Sequence, residues 1–331
     1  MNDRAVSLLD QYEIEVLRTK KGRGAIICET NLGCLIFKEY VGNPEKINLQ
    51  KYVLDHIQER SDLAVENIIC TKEEKLFTED REGNRYILKT YFENRECDIA
   101  DIQECIEAVK TLARLHDSMK LTGCLPSDMV LTPFSLGKEF DKHNRELRKV
   151  SRYIRRKSQK SPFETTLLQE YDYFLEQALE IENQWRAFQL ESDTEYIKEQ
   201  GILCHGDYQY HNIIHNGSGF SVINFERCIM DNTVRDLALF MRKVLEKNGW
   251  SIELGKRLIE AYNSIQPLSA RAFVELYYRL AYPEKFWKIV NFYFNARKAW
   301  IPERSYEKLQ ILRAQEKEKQ EFLEVIFRTI S

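Results

Sequence analysis

No long hydrophobic run interrupts this sequence. None of its 331 residues lies in a stretch approaching the roughly 20 apolar residues that a membrane-spanning helix needs, and the longest apolar runs, Ala25–Cys28 and Cys34–Phe37 among them, are strand-sized. The first residues carry acids and lack the uninterrupted apolar core of a secretory signal, so a protein without membrane insertion is expected, either cytoplasmic or deposited elsewhere without crossing a membrane by a signal peptide. An excess of one charge is missing too. Lys and Arg number 49 against 52 Asp and Glu, a formal net charge of −3. Nonspecific nucleic-acid binders usually show a strong basic excess, so no nucleic-acid partner is expected. The eight cysteines (28, 34, 70, 97, 105, 124, 204, 228) include no C-x-x-C pair and no Cys/His cluster at zinc spacing. Neither a disulfide framework nor a structural metal follows from them. Internal repeats and low-complexity tracts are absent as well. What remains is an ordinary globular balance, 43% hydrophobic and 31% charged, in a chain long enough for two lobes.

From residue 12 to 40, strand-like runs alternate with turn chemistry. Tyr12–Leu17, Ala25–Glu29 and Cys34–Tyr40 are separated by Lys-Gly-Arg-Gly and Asn-Leu-Gly, which predicts a three-stranded antiparallel meander. Pro44 then opens a helix expected over Pro44–Arg60, since proline is tolerated in a first helical turn. Asn67–Thr71 with Lys75–Glu79, and Tyr86–Phe92, complete a five-stranded antiparallel sheet with one helix, a small lobe over residues 1–94. Beyond it Ile102, Ile106, Val109, Leu112, Ala113 and Leu115 recur at helical spacing, and helical patterns dominate residues 95–331. Strand-like Ile202–Cys204, Ile213-Ile214 and Phe220–Phe225 interrupt that helical lobe and carry a loop over 205–226. Loops held on a rigid scaffold are where chemistry tends to sit. Lys138–Lys160 holds ten basic and three acidic residues and reads as a solvated helix face, with a docking surface for an acidic partner as the alternative. Glu303–Phe327 reads as a surface helix.

The loop contains His205-Gly206-Asp207-Tyr208-Gln209-Tyr210-His211-Asn212, and Asn224-Phe225-Glu226 begins twelve residues after Asn212. In the kinase catalytic loop, H-R-D-L-x-x-x-N, the Asp accepts a proton from the substrate hydroxyl and the Asn holds a second Mg²⁺. Asp207 and Asn212 have that separation, so a carboxylate and an amide on one short loop can face one phosphate from two sides. With Gly in place of Arg, and with Leu112-Ala113-Arg114-Leu115-His116 upstream, the sequence resembles the aminoglycoside and choline phosphotransferase branch of the kinase-like superfamily.

That resemblance implies an α+β, bilobal, protein-kinase-like fold with a small β-rich N-terminal lobe and a large helical C-terminal lobe. It implies ATP and Mg²⁺ as cofactors, with Asp207 as the base and Asn212, Asn224 and Glu226 around the metal. Lys38 takes the place of the lysine that contacts the α/β-phosphates. Gly22 and Gly24 lie where a Gly-rich phosphate cover belongs, although the full G-x-G-x-x-G is absent. Tyr91 and Phe92 match the linker whose backbone pairs with adenine. Asp236, in Arg235-Asp236-Leu237-Ala238, corresponds to the structural acid that braces the loop around His205. One departure stands out: Asn224 occupies the position of the main metal-binding Asp. An amide oxygen can coordinate Mg²⁺ but forfeits a negative charge beside a hard dication, so metal-nucleotide binding and transfer are both expected to weaken. Gln50 stands where a glutamate partner for Lys38 is expected, and Glu45 lies too near the helix start. Protein-kinase activity is not expected, because only eleven residues separate Asn224 from Asp236 and no A-P-E follows in range.

Farther on, Leu280-Ala281-Tyr282-Pro283-Glu284-Lys285-Phe286-Trp287-Lys288-Ile289-Val290-Asn291, Lys298-Ala299-Trp300-Ile301-Pro302 and Tyr306-Glu307-Lys308-Leu309 are similar to the CotS-type spore coat proteins of endospore-forming Firmicutes. The resemblance spans essentially the whole chain and makes Asn224 a family trait. It implies a protein made in the mother-cell cytoplasm and assembled into the spore coat among other coat proteins. Phe286, Trp287, Tyr293 and Trp300 sit mostly at helical spacing and read as core, with the lining of a substrate pocket as the alternative. Two functions follow: a kinase-like coat protein that binds nucleotide with weakened or lost catalysis, or an active phosphotransferase acting on the hydroxyl of an amino alcohol, sugar or aminoglycoside-like small molecule. A third reading has the basic stretch docking acidic coat proteins or polyanions.

Overall fold

The structure, a computed structural model, describes residues 6–22, 24–121, 131–188, 197–198, 202–217, 219–295 and 303–328. Strands β1 (Val16–Gly22), β2 (Ala25–Thr30) and β3 (Gly33–Glu39) form the expected meander, with Gly22 paired to Ala25 and Thr30 to Gly33 at its two turns. Gly24 and Gly33 take φ of 69° and 93°, the left-handed conformation that such tight hairpins require. Helix α1 (Pro44–Arg60) starts where Asn43 Oδ1 accepts the Glu45 amide at 3.1 Å, and it buries Ile47, Val53, Leu54 and Ile57.

Three short strands and a longer one follow: β4 (Ala64–Val65), β5 (Ile68–Ile69), β6 (Thr78–Glu79) and β7 (Arg85–Thr90). The N-terminal sheet runs β1-β2-β3-β7-β5 with β6 also on β7, six strands where the sequence suggests five. The extra strand arises because the segment from Thr71 to Lys75 turns tightly, Thr71 N to Lys75 O being 2.8 Å, and separates β5 from β6. The first strand also begins later than Tyr12. Residues 7–11 form a 3-10 turn, and Tyr12, bridged to Thr71, is buried edge-on against Phe37. Strand β4 leaves this sheet altogether.

Helix α2 (Ile102–Ser118) is capped by Asp101, and α3 (Leu136–Arg156) packs along α4 (Pro162–Phe188), with Tyr171 donating to Leu147 O at 2.8 Å. The interrupting strands are β8 (Leu203–Cys204), β9 (Ile213–His215), β10 (Phe220–Val222) and β11 (Ile229–Met230). Strand β10 pairs antiparallel with β9 and parallel with β4, which ties the segment after α1 to the site-bearing loop. Helices α5 (Val234–Lys247), α6 (Ile252–Asn263), α7 (Ala270–Ala281) and α8 (Glu284–Asn295) follow.

The last segment is two helices, α9 (Glu303–Ala314) and α10 (Glu316–Ile326), broken at Gln315. Most of its charged residues face solvent, as expected of a surface helix, and most of its apolar residues face inward. Leu309, Leu312, Phe322 and Leu323 are buried, and Phe322 fits only because Gly255 on α6 has no side chain: a Cβ there would lie 2.2 Å from its ring. Phe286 and Tyr293 are core residues as expected, whereas Trp300 lies outside the described residues. On α3, Lys142, Arg145, Arg148, Lys149 and Arg152 form the expected exposed basic face. The seven described cysteines are free, and Cys124 lies outside the described residues. Among the described residues no helix is long and apolar enough to cross a membrane.

Candidate active site

The loop is braced from below. Asp236, at the start of α5, accepts the His205 amide at 2.6 Å and the Gly206 amide at 2.9 Å. His116 reaches the same carboxylate at 3.2 Å while its other ring nitrogen meets the Tyr262 hydroxyl at 2.8 Å. Burial alone would raise the Asp236 carboxyl, but the hydrogen bond and charge of His116 and the Gly206 amide outweigh it and hold it below the usual range. His116, Cys204 and Asp236 bring potential metal donors within 4.8 Å of one another, yet each already bonds to protein, and the trio acts as a brace.

Gly206 explains why this loop lacks the Arg of protein kinases. Its φ is 80°, and a Cβ would sit 2.0 Å from the Arg227 carbonyl oxygen, a contact no side chain tolerates. The His205 ring accepts the Asp207 amide at Nδ1 (3.1 Å), so Nε2 carries the proton donated to Ile223 O at 2.9 Å. Asp207 is thereby aimed outward. Gln209 Nε2 donates to its Oδ1, and Arg227 Nε approaches its Oδ2 at 3.9 Å. Beyond it opens a cavity of 270 Å³, lined among others by Glu139, His143, Arg227, Tyr282 and Trp287. Trp287, stacked on His143 at 3.5 Å between centroids, is thus a pocket wall where its neighbour Phe286 is core.

The residues expected around a metal do come together. Asn212 Nδ2 donates to Asp207 O, and its Oδ1 accepts from Asn224 Nδ2, both at 2.8 Å. Asn224 sits at φ 67°, in the left-handed region that Asn and Asp tolerate better than other side chains. Lys38 Nζ lies 2.6 Å from Glu226 Oε1 and 3.4 Å from Asn224 Oδ1. A second lysine, invisible to motif reading, joins it. Lys89 Nζ is 2.9 Å from the same Glu226 oxygen, 3.5 Å from Asn224 Oδ1 and 2.7 Å from Glu66 Oε2. Glu66 in turn accepts from Gln50 Nε2 and from the Phe225 amide, each at 3.1 Å. Gln50 therefore serves the lysine cluster at one remove, through Glu66, while Glu45 is engaged with Asn43 at the helix start.

Burial would raise the Glu226 carboxyl, but the charges of Lys89 and Lys38 and their hydrogen bonds pull it down to about 2. Lys38 is lowered by burial and by the neighbouring Lys89 charge. Lys89, whose burial opposes its charge, is held above its ordinary value by Glu66 and Glu226. A divalent cation fits this set poorly. The Glu226 oxygen and the Asn224 carbonyl both face ammonium groups, and the Asn212 oxygen already receives the Asn224 amide. A lysine and a glutamate placed inside or beside short apolar runs, Ile87-Leu88-Lys89 and Ala64-Val65-Glu66, were the one available sequence signal for the missed pair.

The remaining expected residues flank this cluster. Gly22 and Gly24 close the β1–β2 hairpin, and Ala25, the first β2 residue after that turn, is the strand partner of Lys38. Tyr91 and Phe92 follow β7 half-buried, with the Tyr91 amide committed to Cys34 O at 2.9 Å.

A family model described as "Spore coat putative kinase YutH" matches residues 5–326. The chain belongs to that family. Spore coat protein S of Bacillus subtilis (strain 168) is 24% identical to this YutH-family chain over 311 residues, covering 92% of the chain and 87% of that protein. Among solved structures, an aminoglycoside phosphotransferase from Alicyclobacillus acidocaldarius superposes with a TM-score of 0.82 at 17% identity, covering 98% of this chain and 96% of that one. The spectinomycin phosphotransferase APH(9)-Ia, in complex with ADP and spectinomycin, gives 0.68 at 15% identity over 98% and 96% of the two chains. At these identities the likeness is one of fold, and it establishes the aminoglycoside phosphotransferase-type kinase fold that the loop motif implies.

Proposed function

We propose that this YutH-family chain is a nucleotide-binding protein of the spore coat in which phosphoryl transfer is weakened or lost. It would be made in the mother-cell cytoplasm and assembled among other coat proteins, with residues 1–94 and 95–331 as its two lobes. The observation that carries the reading is the pairing of an intact Asp207–Asn212 loop with Asn224 in place of the metal-binding Asp. Lys38, the β1–β2 hairpin and the segment at Tyr91 and Phe92 supply a place for phosphates and adenine, while the acid that would recruit Mg²⁺ is gone. The ADP-bound spectinomycin phosphotransferase supports nucleotide as the ligand of this fold.

A second reading rests on the 270 Å³ cavity beside Asp207. Its size and position suit a small hydroxyl compound presented to Asp207 as a base, as in an active small-molecule phosphotransferase.

A thermal-shift titration of the purified chain with ATP, followed by a phosphate-transfer screen against amino alcohols, sugars and aminoglycosides, tests both. A ligand that binds the native state raises the melting temperature. The proposal expects a rise with ATP and little or no transfer. Absence of any rise at millimolar ATP sinks it, and brisk transfer to a hydroxyl acceptor selects the second reading.

A further inference from the structure

We propose that this site binds nucleotide phosphates without a divalent metal, with the buried ammonium of Lys89 as a resident cation and Lys38 as the movable one that meets the phosphate. The inference rests on the nucleotide-binding reading above and deepens it.

The strand register places both lysines. Lys38 lies opposite Ile87 and Lys89 opposite Ile36, so the two side chains are diagonal neighbours on one face of the β3–β7 pair. Their surroundings then separate them. The Lys38 side chain is 26% exposed, whereas that of Lys89 is 1% exposed and is held by Glu66, itself fixed from two further sides by Gln50 and the Phe225 amide. Lys38 can exchange its partner for an incoming anion. Lys89 cannot, because withdrawing it would leave the buried Glu66 carboxylate, 2% exposed, without a compensating charge.

The consequence for a metal is direct. Mg²⁺ demands oxygens at about 2.0–2.1 Å, so an ion on Glu226 Oε1 and Asn224 Oδ1 would lie within about 5 Å of an ammonium that stays in place. The consequence for a nucleotide is the opposite. When Lys38 turns from Glu226 to a phosphate oxygen, Lys89 remains hydrogen-bonded to that carboxylate, so Glu226 keeps a cation beside it, shared with Glu66. The two lysines balance Glu66 and Glu226, and Asn224 is the neutral residue such a closed set accommodates. Ammonium groups supply less charge than Mg²⁺ and do not clamp the transferring phosphoryl group as a bound dication does, which accords with binding that outlasts catalysis.

The test is calorimetric titration of the full chain with ATP, once in excess EDTA and once in millimolar Mg²⁺. The two dissociation constants are expected to agree within about threefold. Binding that requires Mg²⁺ overturns this inference and leaves the nucleotide reading standing, whereas no binding in either buffer overturns the nucleotide reading and this inference with it. This comparison needs no variant and holds even where a core substitution fails to fold. In Lys89→Met/Glu66→Gln, which removes both charges of the buried pair, affinity in EDTA should fall by at least about tenfold. Unchanged affinity in that folded variant also overturns the inference.

Discussion

Asp236 Oδ1 accepts the backbone amide of Gly206 at 2.9 Å, across thirty positions of sequence. With the His205 amide on Oδ2, that carboxylate fixes the loop from which Asp207 projects. Asp236→Asn replaces one acceptor oxygen by a donor, leaving a buried amide of the loop without its partner. We expect a loss of about 1–3 kcal/mol in urea unfolding. Wild-type stability in the variant would show that the brace carries no load.

Gly206→Ala should be far worse than Gly24→Ala. Both glycines have positive φ, but a Cβ at 206 meets Arg227 O at 2.0 Å, while one at 24 meets nothing within 4 Å. Backbone strain alone costs about 1 kcal/mol, and the clash adds several more. Melting temperatures of the two variants check this, and equal losses would contradict it.

Asp207→Asn is expected to abolish any phosphoryl transfer while leaving ATP affinity nearly unchanged, because the side chain faces the acceptor cavity and the lysine cluster does not include it. Surviving transfer would exclude Asp207 as the base. A large drop in ATP affinity would place it against the nucleotide instead.

His143 makes stability fall on acidification. Burial between Trp287 and Tyr282 lowers it to about 4, with Glu284 opposing and Lys142 and Lys288 assisting. The unfolded chain, titrating near 6.5, therefore binds a proton that the folded chain refuses, and stability declines as pH drops from about 6.5 toward 4. His143→Phe has nothing to protonate. Its melting temperature should gain on wild type as pH falls from 7.5 to 5, the difference reaching about 2 kcal/mol near the acid end. A constant difference across that range would refute the assignment.

Much of the fold was legible because its signals are local. Asn43 and Pro44 start α1 at the residue expected, and the glycine turns set the meander. Where the deciding contacts are not local, the sequence pattern is incomplete. Glu303–Phe327 reads as one surface helix, and nothing in that segment announces that it breaks at Gln315 or that Phe322 docks on Gly255, far upstream. Tyr12 reads as a strand residue, yet it serves as a plug beneath Phe37.

The site divides in the same way. The sequence by itself pointed to Asp207, Asn212, Asn224 and Lys38 as the proposed site, since a loop chemistry that depends on fixed spacing is written in consecutive residues, and it places an Asn where the resemblance expects a metal-binding Asp. Only the tertiary structure decided that Lys89 and Glu66, separated by twenty-three positions, are buried together against Glu226. Burial of a charge is set by everything packed around it, here α1, β3, the segment after β4 and the turn at Phe225, and no stretch of sequence holds that sum.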